Sequence, residues 1–518
     1  MTKEIDLFSK DKTIFENRVY NEPVRLITKD EPVDSISFQN VIFNKDISFD
    51  LNQIIEERLT ISFLNCSIKS FSDLSLRTIN LNLGFRSCFV GSLRVESGNI
   101  NWVDINNCFG NFFINKVESI NISYTEENIF IRLWKNIKSL EQLNMLLSFK
   151  TRFHITNVKK INIYGHEIGQ SKKNKLIKNR KLRSEGKYKN FFLNDNDLKN
   201  FRLRRYLSMK EKQKLDINIS LNYNLNHEHV ETSIRNLILN SITLKGKTKG
   251  EVQIDDCFIH QIYINGFSPK SDFSMHSIKP SIASGKFEVR NSNLDNTWFN
   301  GVRLKDYFVV FHKSSFINTK FSSTVFPSVK ELKNSISSVK NIHYPKKIKS
   351  RQEFNRDMYE LFLELNQAFD KRGNSHEAQK MKSVANDFLY DIERWKLSKS
   401  DFWNNKLVLG LNKLTNFHGI SIRNAFISVA SIICFFHCLN LITFESIKWG
   451  FDSWSNLFNV IDNNIQYLFV IANPAHKISS LTPEGEMTGW TYTVSFFSRI
   501  FIGYSYYQFI TAFRRFGK

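Results

Sequence analysis

Four short stretches of the chain share one arrangement: FLNCSI around Cys66, FRSCFV around Cys88, INNCFG around Cys108 and IDDCFI around Cys257. Each opens on an apolar residue, passes two mostly polar ones and reaches cysteine. The first three cysteines stand 22 (88 − 66) and 20 (108 − 88) residues apart. Near-constant spacing of that size predicts a β-solenoid in which one repeat makes one coil. Stacking supplies the physical reason. Each coil places the same small residue at the same inward corner, where the neighbouring coil covers it. Asn65 and Asn107 each stand beside their Cys, and a ladder of such side chains would satisfy backbone groups at the turns. The alternative is a twisted antiparallel sheet with coincidental Cys spacing.

The flanking sequence has the period of strands. From about residue 35 to 125, apolar and polar residues alternate in runs such as SISFQNVIF, RLTISFLNCSI and NINWVDINNCFG. The pattern blurs over 126–165, where SLEQLNMLLSFKTRF suggests a helix, and resumes from KLDINISLNYNL to about residue 330. Near its end Phe311, Phe316, Phe321 and Phe326 recur every five residues. That step resembles the last turns of pentapeptide-repeat solenoids, in which Phe or Leu fills the coil; the usual Ala/Asp/Asn-Leu pentads are mostly missing. The expected fold is therefore a right-handed β-solenoid over 35–330 behind an N-terminal extension, 1–34. The runner-up for the Phe series is an ordinary Phe-rich strand pair.

Charge is unevenly distributed. The chain of 518 residues carries Lys+Arg 72 against Asp+Glu 50, a formal +22. Residues 171–214 hold 16 basic and 4 acidic residues, so 16 − 4 = 12 of that excess lies in one segment. It reads as an insertion between coils, part loop and part helix. Its Lys172, Lys173, Lys175, Arg180, Lys181, Arg183, Arg202, Arg204 and Arg205 are candidate contacts for anionic lipid or nucleic acid, and interleaved Tyr188 and Phe191 would allow base stacking. A solvated basic loop is the alternative.

The six cysteines form no CxxC pair, and no Cys/His cluster has zinc spacing, so no metal or other cofactor is expected. The first twenty residues lack an apolar run behind a basic end, which predicts that the bulk of the chain stays in the cytosol with reduced thiols.

After residue 345 the period becomes helical. Phe354, Met358, Leu361, Leu365 and Phe369 fall on one face, then Ala378, Met381, Ala385 and Leu389 on another. With Gly373 closing the first helix and Ser375 capping the second, 345–400 reads as an antiparallel helical hairpin.

Residues 404–518 read as a membrane domain. Ala425–Phe444 is 20 residues without formal charge, enough to cross roughly 30 Å of hydrocarbon. A less apolar second span runs from about 491 to 513. Between them lies a short apolar helix that Asn473 and Pro474 end, either interfacial or re-entrant. The potassium filter TVGYG is absent. Lys406, Lys413 and Arg423 precede the first span and Arg514, Arg515 and Lys518 follow the second. The connection carries only Lys448 and Lys477 against five acids. Both termini should therefore face the cytosol of a bacterial inner membrane. Ser495, Ser498, Ser505 and Gln508 form one polar stripe with Arg499 beside it. The stripe is a candidate pore-lining or oligomer face; alternatively Arg499 snorkels to the headgroups.

The stretches LVLGLNKLTNFHGISIRNAFI, IANPAHK and SRIFIGYSYYQFITAFRRFGK resemble the C-terminal part of bacterial pentapeptide-repeat-containing membrane proteins with an ion-channel-like two-span end. In that family a helical hairpin precedes an Asn-Lys-x-x-Asn-x-x-Gly stretch, which Asn412, Lys413, Asn416 and Gly419 match here. The resemblance covers 340–518 well and 35–330 loosely. It implies a membrane location and homo-oligomerisation.

Two functions follow as expectations. One is a homo-oligomeric, channel-like pore or membrane effector with a cytosolic solenoid as sensor or binding domain. The other is a membrane-tethered scaffold for anionic lipid, nucleic acid or a cytosolic protein partner. An enzyme is not expected: no GxSxG, P-loop, HExxH or Rossmann glycine pattern is present. His166, His260 and His312 are isolated, and the Asp255–Asp256 pair sits at a repeated turn.

Overall fold

The computed structural model describes residues 2–6, 14–27, 35–50, 55–72, 79–96, 100–124, 151–165, 217–224, 230–281, 285–343, 348–392, 406–444, 459, 462–483 and 487–513. Two compact units divide the chain, Met1–Asn341 and Ile342–Lys518.

The first unit is a parallel β-solenoid of the right-handed type. Successive strands belong to alternate sheets, and each main strand pairs in parallel with the corresponding strand of the next coil. One sheet runs from Lys3–Asp6 through Ile42–Asp50, Ser67–Ser72 and Phe89–Val95 to Tyr307–His312. The other runs from Ile14–Glu16 through Ser35–Gln39, Ile55–Leu64 and Ile79–Arg86 to Lys320–Ser322. The antiparallel alternative is excluded, since among the described residues every ladder is parallel.

The repeated motif makes the corner between the sheets. Asn65, Ser87, Asn107 and Asp256 have φ of 53°, 54°, 56° and 48°, the left-handed conformation that turns one strand into the next. Asn adopts this conformation at lower cost than most residues, because its short polar side chain can bond locally. The following Cys points inward, and its thiol takes the same role on each coil. Cys88 Sγ donates to Arg86 O two residues back (3.3 Å) and to Phe63 O on the previous coil (3.2 Å). Cys66 does so to Leu64 O and Phe38 O. Where the series passes to Ser292 and Thr324, the hydroxyl makes equivalent bonds. Val41 and Leu237 occupy the same corner, so the position needs modest volume first and a donor second. Burial pushes the Cys66 and Cys88 thiols well above their ordinary pKa of 9.0.

Aromatic rings in register fill the coils. Phe15, Phe38, Phe63 and Phe85 stack at 5.0, 5.1 and 5.1 Å, with Phe43 and Phe71 edge-on to them. Each fully buried ring contributes roughly 1.5–3 kcal/mol. Phe311, Phe316, Phe321 and Phe326 are all buried, as coil-filling residues should be.

The solenoid begins earlier than the sequence pattern indicated. Lys3–Asp6, Ile14–Glu16 and Val24–Ile27, inside the expected extension, already pair with the next coil. A strand of three residues is too short to display alternation, yet Phe15 is the first ring of the stack. The helix expected near 139–153 is corrected at its end, where Thr151–Thr156 is a strand; 139–150 lie outside the described residues. The basic insertion 171–214, with all nine candidate contacts, also lies outside them. Its flanking strands, Lys160–Gly165 and Ile217–Tyr223, are both solenoid strands in register with their neighbours. Helix α1 (Val329–His343) follows the last coil, started by a reciprocal bond pair in which Glu331 Oε2 accepts from Ser328 N (2.7 Å) and Ser328 Oγ from Glu331 N (3.4 Å). Ser328 Oγ also donates to Glu331 Oε2 (2.8 Å), and that bond, with the one from Ser328 N, lowers the Glu331 carboxyl below its ordinary range.

The second unit is helical. α2 (Ile348–Asp370) and α3 (Ser375–Ile392) form the expected hairpin, with Phe354, Met358, Leu361, Leu365 and Phe369 buried. The cap is Asn374 and not Ser375, because Asn374 Oδ1 accepts from Glu377 N (3.2 Å). α4 (Leu407–Asn416), α5 (Ile422–Ile442), α6 (Ile465–Ala472) and α7 (Gly489–Phe513) follow.

Two outcomes test the corner and the thiols. Cys88→Val should shift the unfolding midpoint little, within about 1 kcal/mol, because valine fills the same corner elsewhere. Gly110→Ala should destabilise strongly, since its Cβ would stand 1.6 Å from Val90 O. The raised thiols also fix a sign. They are neutral when protonated, so the unfolded chain loses those protons first. Stability should hold below pH 9 and fall as the pH rises past it, read as the thermal midpoint across an alkaline series.

Candidate functional site

Polar side chains within the helical unit collect along one internal seam. α5 and α7 pack antiparallel, with Phe426 against Phe509 (6.4 Å between ring centroids) and Phe436 against Phe501 (5.9 Å). Ser421 caps α5 by accepting from Asn424 N (3.1 Å). Among the described residues, α5 is the one helix long and apolar enough to cross a membrane.

One end of the seam joins α4 to α7. Asn412 Oδ1 accepts from Tyr504 Oη and from Gln508 Nε2, both at 2.8 Å. Asn416 Nδ2 donates to Gln508 Oε1 at 2.5 Å, and Asn416 Oδ1 accepts from Gly419 N at 2.8 Å. The turn that follows is unusual. Phe417, His418 and Gly419 all have positive φ, 55°, 59° and 85°. Glycine takes that conformation freely; for Phe and His it costs roughly 1–2 kcal/mol each. The hairpin offsets the cost by clasping the turn's carbonyls: Ser383 Oγ donates to Phe417 O (3.2 Å) and Gln379 Nε2 to His418 O (3.1 Å). Asp387 stands 3.0 Å from Lys413 Nζ and 3.6 Å from His418 Nε2. One strained turn thus joins the hairpin, through Asn416, to the C-terminal part of α7.

The other end gathers around the strap between α6 and α7. Asn473 Oδ1 accepts from Ala475 N (3.0 Å) as the chain leaves α6 at Pro474. His476 Nδ1 lies 2.6 Å from Asn473 O, so that nitrogen carries the proton and Nε2 accepts from Ser495 Oγ at 3.2 Å. Arg499 Nη2 donates to His476 O at 2.6 Å. Asn440 Nδ2 on α5 donates to Leu481 O at 2.8 Å, so the strap is bonded to both long helices.

The predicted stripe is therefore real but faces inward. Ser495, Ser498, Ser505 and Gln508 are each 5% exposed or less, and their bonds are made within the same chain. Within the chain, α4, α5 and the strap cover this stripe. Arg499 holds the strap. On the short helix α6, Ile465 and Phe469 are exposed. Sequence reasoning reached Asn412, Asn416 and Gly419 only through the family resemblance and missed Gln379, Ser383, Asp387, His476 and Asn440. Asn440 carried a usable signal, a second polar residue one turn after His437 in an uncharged run.

The fold and seam define a parallel β-solenoid joined to a helical unit with one membrane-length apolar helix. Comparison with family models, curated proteins and solved structures gave no match.

Asn416→Ala and Gln508→Ala should each destabilise the helical unit, and the double variant should lose less than the sum. A coupling of about 0.5–3 kcal/mol in a double-mutant cycle is expected; a coupling near zero would mean that the 2.5 Å bond carries no stability.

Proposed function

We propose that this chain is an integral membrane effector, with α5 and α7 crossing the bilayer and the solenoid acting as a cytosolic sensor or binding domain. The observation that carries this reading is the inversion of α7. Its buried residues are Thr491, Ser495, Ser498, Ser505 and Gln508 with two small apolar neighbourhoods at Ile502 and Ala512; Phe496, Ile500, Phe501, Tyr507, Ile510 and Phe513 are exposed. An amphipathic helix in water does the opposite. α5 behaves alike: His437 and Asn440 are buried, while Phe426, Phe435 and Ile442 are about 60% exposed. So much exposed aromatic and aliphatic surface on neighbouring helices suits hydrocarbon and not water. A composition test undervalues α7, because it counts inward polar residues as though lipid met them.

The seam supports an effector in which the hairpin acts on the spans through the Phe417–Gly419 turn. Because the polar stripe closes within one chain, it offers no ready lining for a symmetric pore. Membership of the pentapeptide-repeat membrane family, homo-oligomerisation and a bacterial inner-membrane location with both termini cytosolic belong to the same proposal. The basic segment 171–214 would add attraction to the anionic cytosolic leaflet.

The expressed chain should stay with the membrane fraction through alkaline extraction. A cysteine placed at Met487 in a background lacking Cys434 and Cys438 should react with an impermeant maleimide from the outer side of intact cells. Release at alkaline pH, or labelling only after lysis, would sink the two-span arrangement. Reconstituted protein that passes a gated ion current would restore the pore reading over the effector.

A further inference from the structure

The strap end of the seam holds more donors than the chain can use. Arg499 gives one N–H to His476 O, and its Nε is buried without a partner. Among the described residues no carboxylate forms an ion pair with it. His437, on α5, is 2% exposed, and neither ring nitrogen has a partner. Thr482 Oγ1, on the strap, is buried and likewise unpartnered. Phe436, the residue before His437, meets Phe501, two residues from Arg499, and Asn440 and His476 tie the strap that carries Thr482 to both helices.

The chemistry of this set has one sign. A guanidinium, an imidazole N–H and a hydroxyl are all able to donate, and among the described residues no carboxylate forms an ion pair with the guanidinium. A buried unpaired cation is costly, more so in a membrane, and native proteins seldom leave several buried polar groups unsatisfied together. Asn440 Oδ1 is unpartnered as well, and with the second imidazole nitrogen of His437 it suits a water accompanying the ligand.

We infer that α5, α7 and the strap form a binding site for a small anion, held by Arg499 with His437 and Thr482, and supplied either by a free inorganic anion or by the phosphate of a lipid headgroup. The inference rests on the membrane reading for the polarity of the surroundings, though not for the donors themselves. The anion completes the strap's attachment, so its occupancy sets how firmly residues 476–482 hold the two helices together. Arg499 then plays two parts, donating to His476 O through Nη2 and to the anion through Nε.

The full-length chain in phospholipid-free maltoside micelles provides the test. Chloride or phosphate replaces gluconate at constant ionic strength while the thermal midpoint is followed, and native mass spectrometry then counts phosphatidylglycerol retained per chain. The expected result is a saturable rise in midpoint with the inorganic anion, or one retained lipid. The apparent dissociation constant should rise about tenfold or more in Arg499→Gln and in His437→Phe, and less in Arg499→Lys. His437→Phe leaves the Arg499–His476 bond in place, so a general loosening of the strap cannot explain its effect. A midpoint indifferent to anion identity together with no retained lipid, or an unchanged response in both variants, overturns the site. Should the chain dissolve without detergent, the membrane reading fails by itself, and the same titration in plain buffer still decides the anion.

Discussion

A parallel coil cannot pair its backbone with itself; each strand depends on the coil before and the coil after. In this solenoid that dependence extends through the corners. Asn65 N donates to Arg86 O, Ser87 N to Asn106 O and Asn107 N to Ser123 O, so the hydrogen-bond ladder does not break where the chain turns. The left-handed corner residue makes the turn tight enough for this. The residue after it seals the interior, by volume alone at Val41 and by volume plus a thiol bond at Cys66, Cys88, Cys108 and Cys257. The stacked rings follow as a consequence, since fixed register brings Phe38 onto Phe63 and Phe63 onto Phe85.

α5 and α7 invert the usual pattern: Asn440, Ser495, Ser498, Ser505 and Gln508 are buried, while Phe426, Phe435, Phe496 and Phe501 are exposed. Buried along that seam, the hydrogen bonds among Asn412, Asn416 and Gln508 hold α4 against α7. The same logic answers why α7 carries Arg499. Its guanidinium fastens the strap, and the remaining donors await something negative.

What could be read from the sequence divides along contact range. The coil period, the hairpin and the apolar run were legible because each is a pattern within a few turns of chain. The coil at Phe15 was not, because three residues cannot show a period. The inward direction of the Ser495–Gln508 stripe was not, because its partners Asn412 and Asn416 stand more than ninety positions away. The strained turn was hidden differently. Phe417 and His418 are residue types that rarely adopt positive φ, so nothing local announces it; it exists because Gln379 and Ser383 hold its carbonyls.

The ladder stays in register across two long intervals of sequence. Phe113, His154 and Ser220 are register neighbours, although residues 125–150 and 166–216 intervene. A corner of this solenoid is therefore a docking port for foreign sequence. Opening it costs loop closure, which grows only slowly with length. Gene duplication can lengthen the stack coil by coil, and recombination can load new cargo at a corner, without renegotiating the packing of any ring already in place.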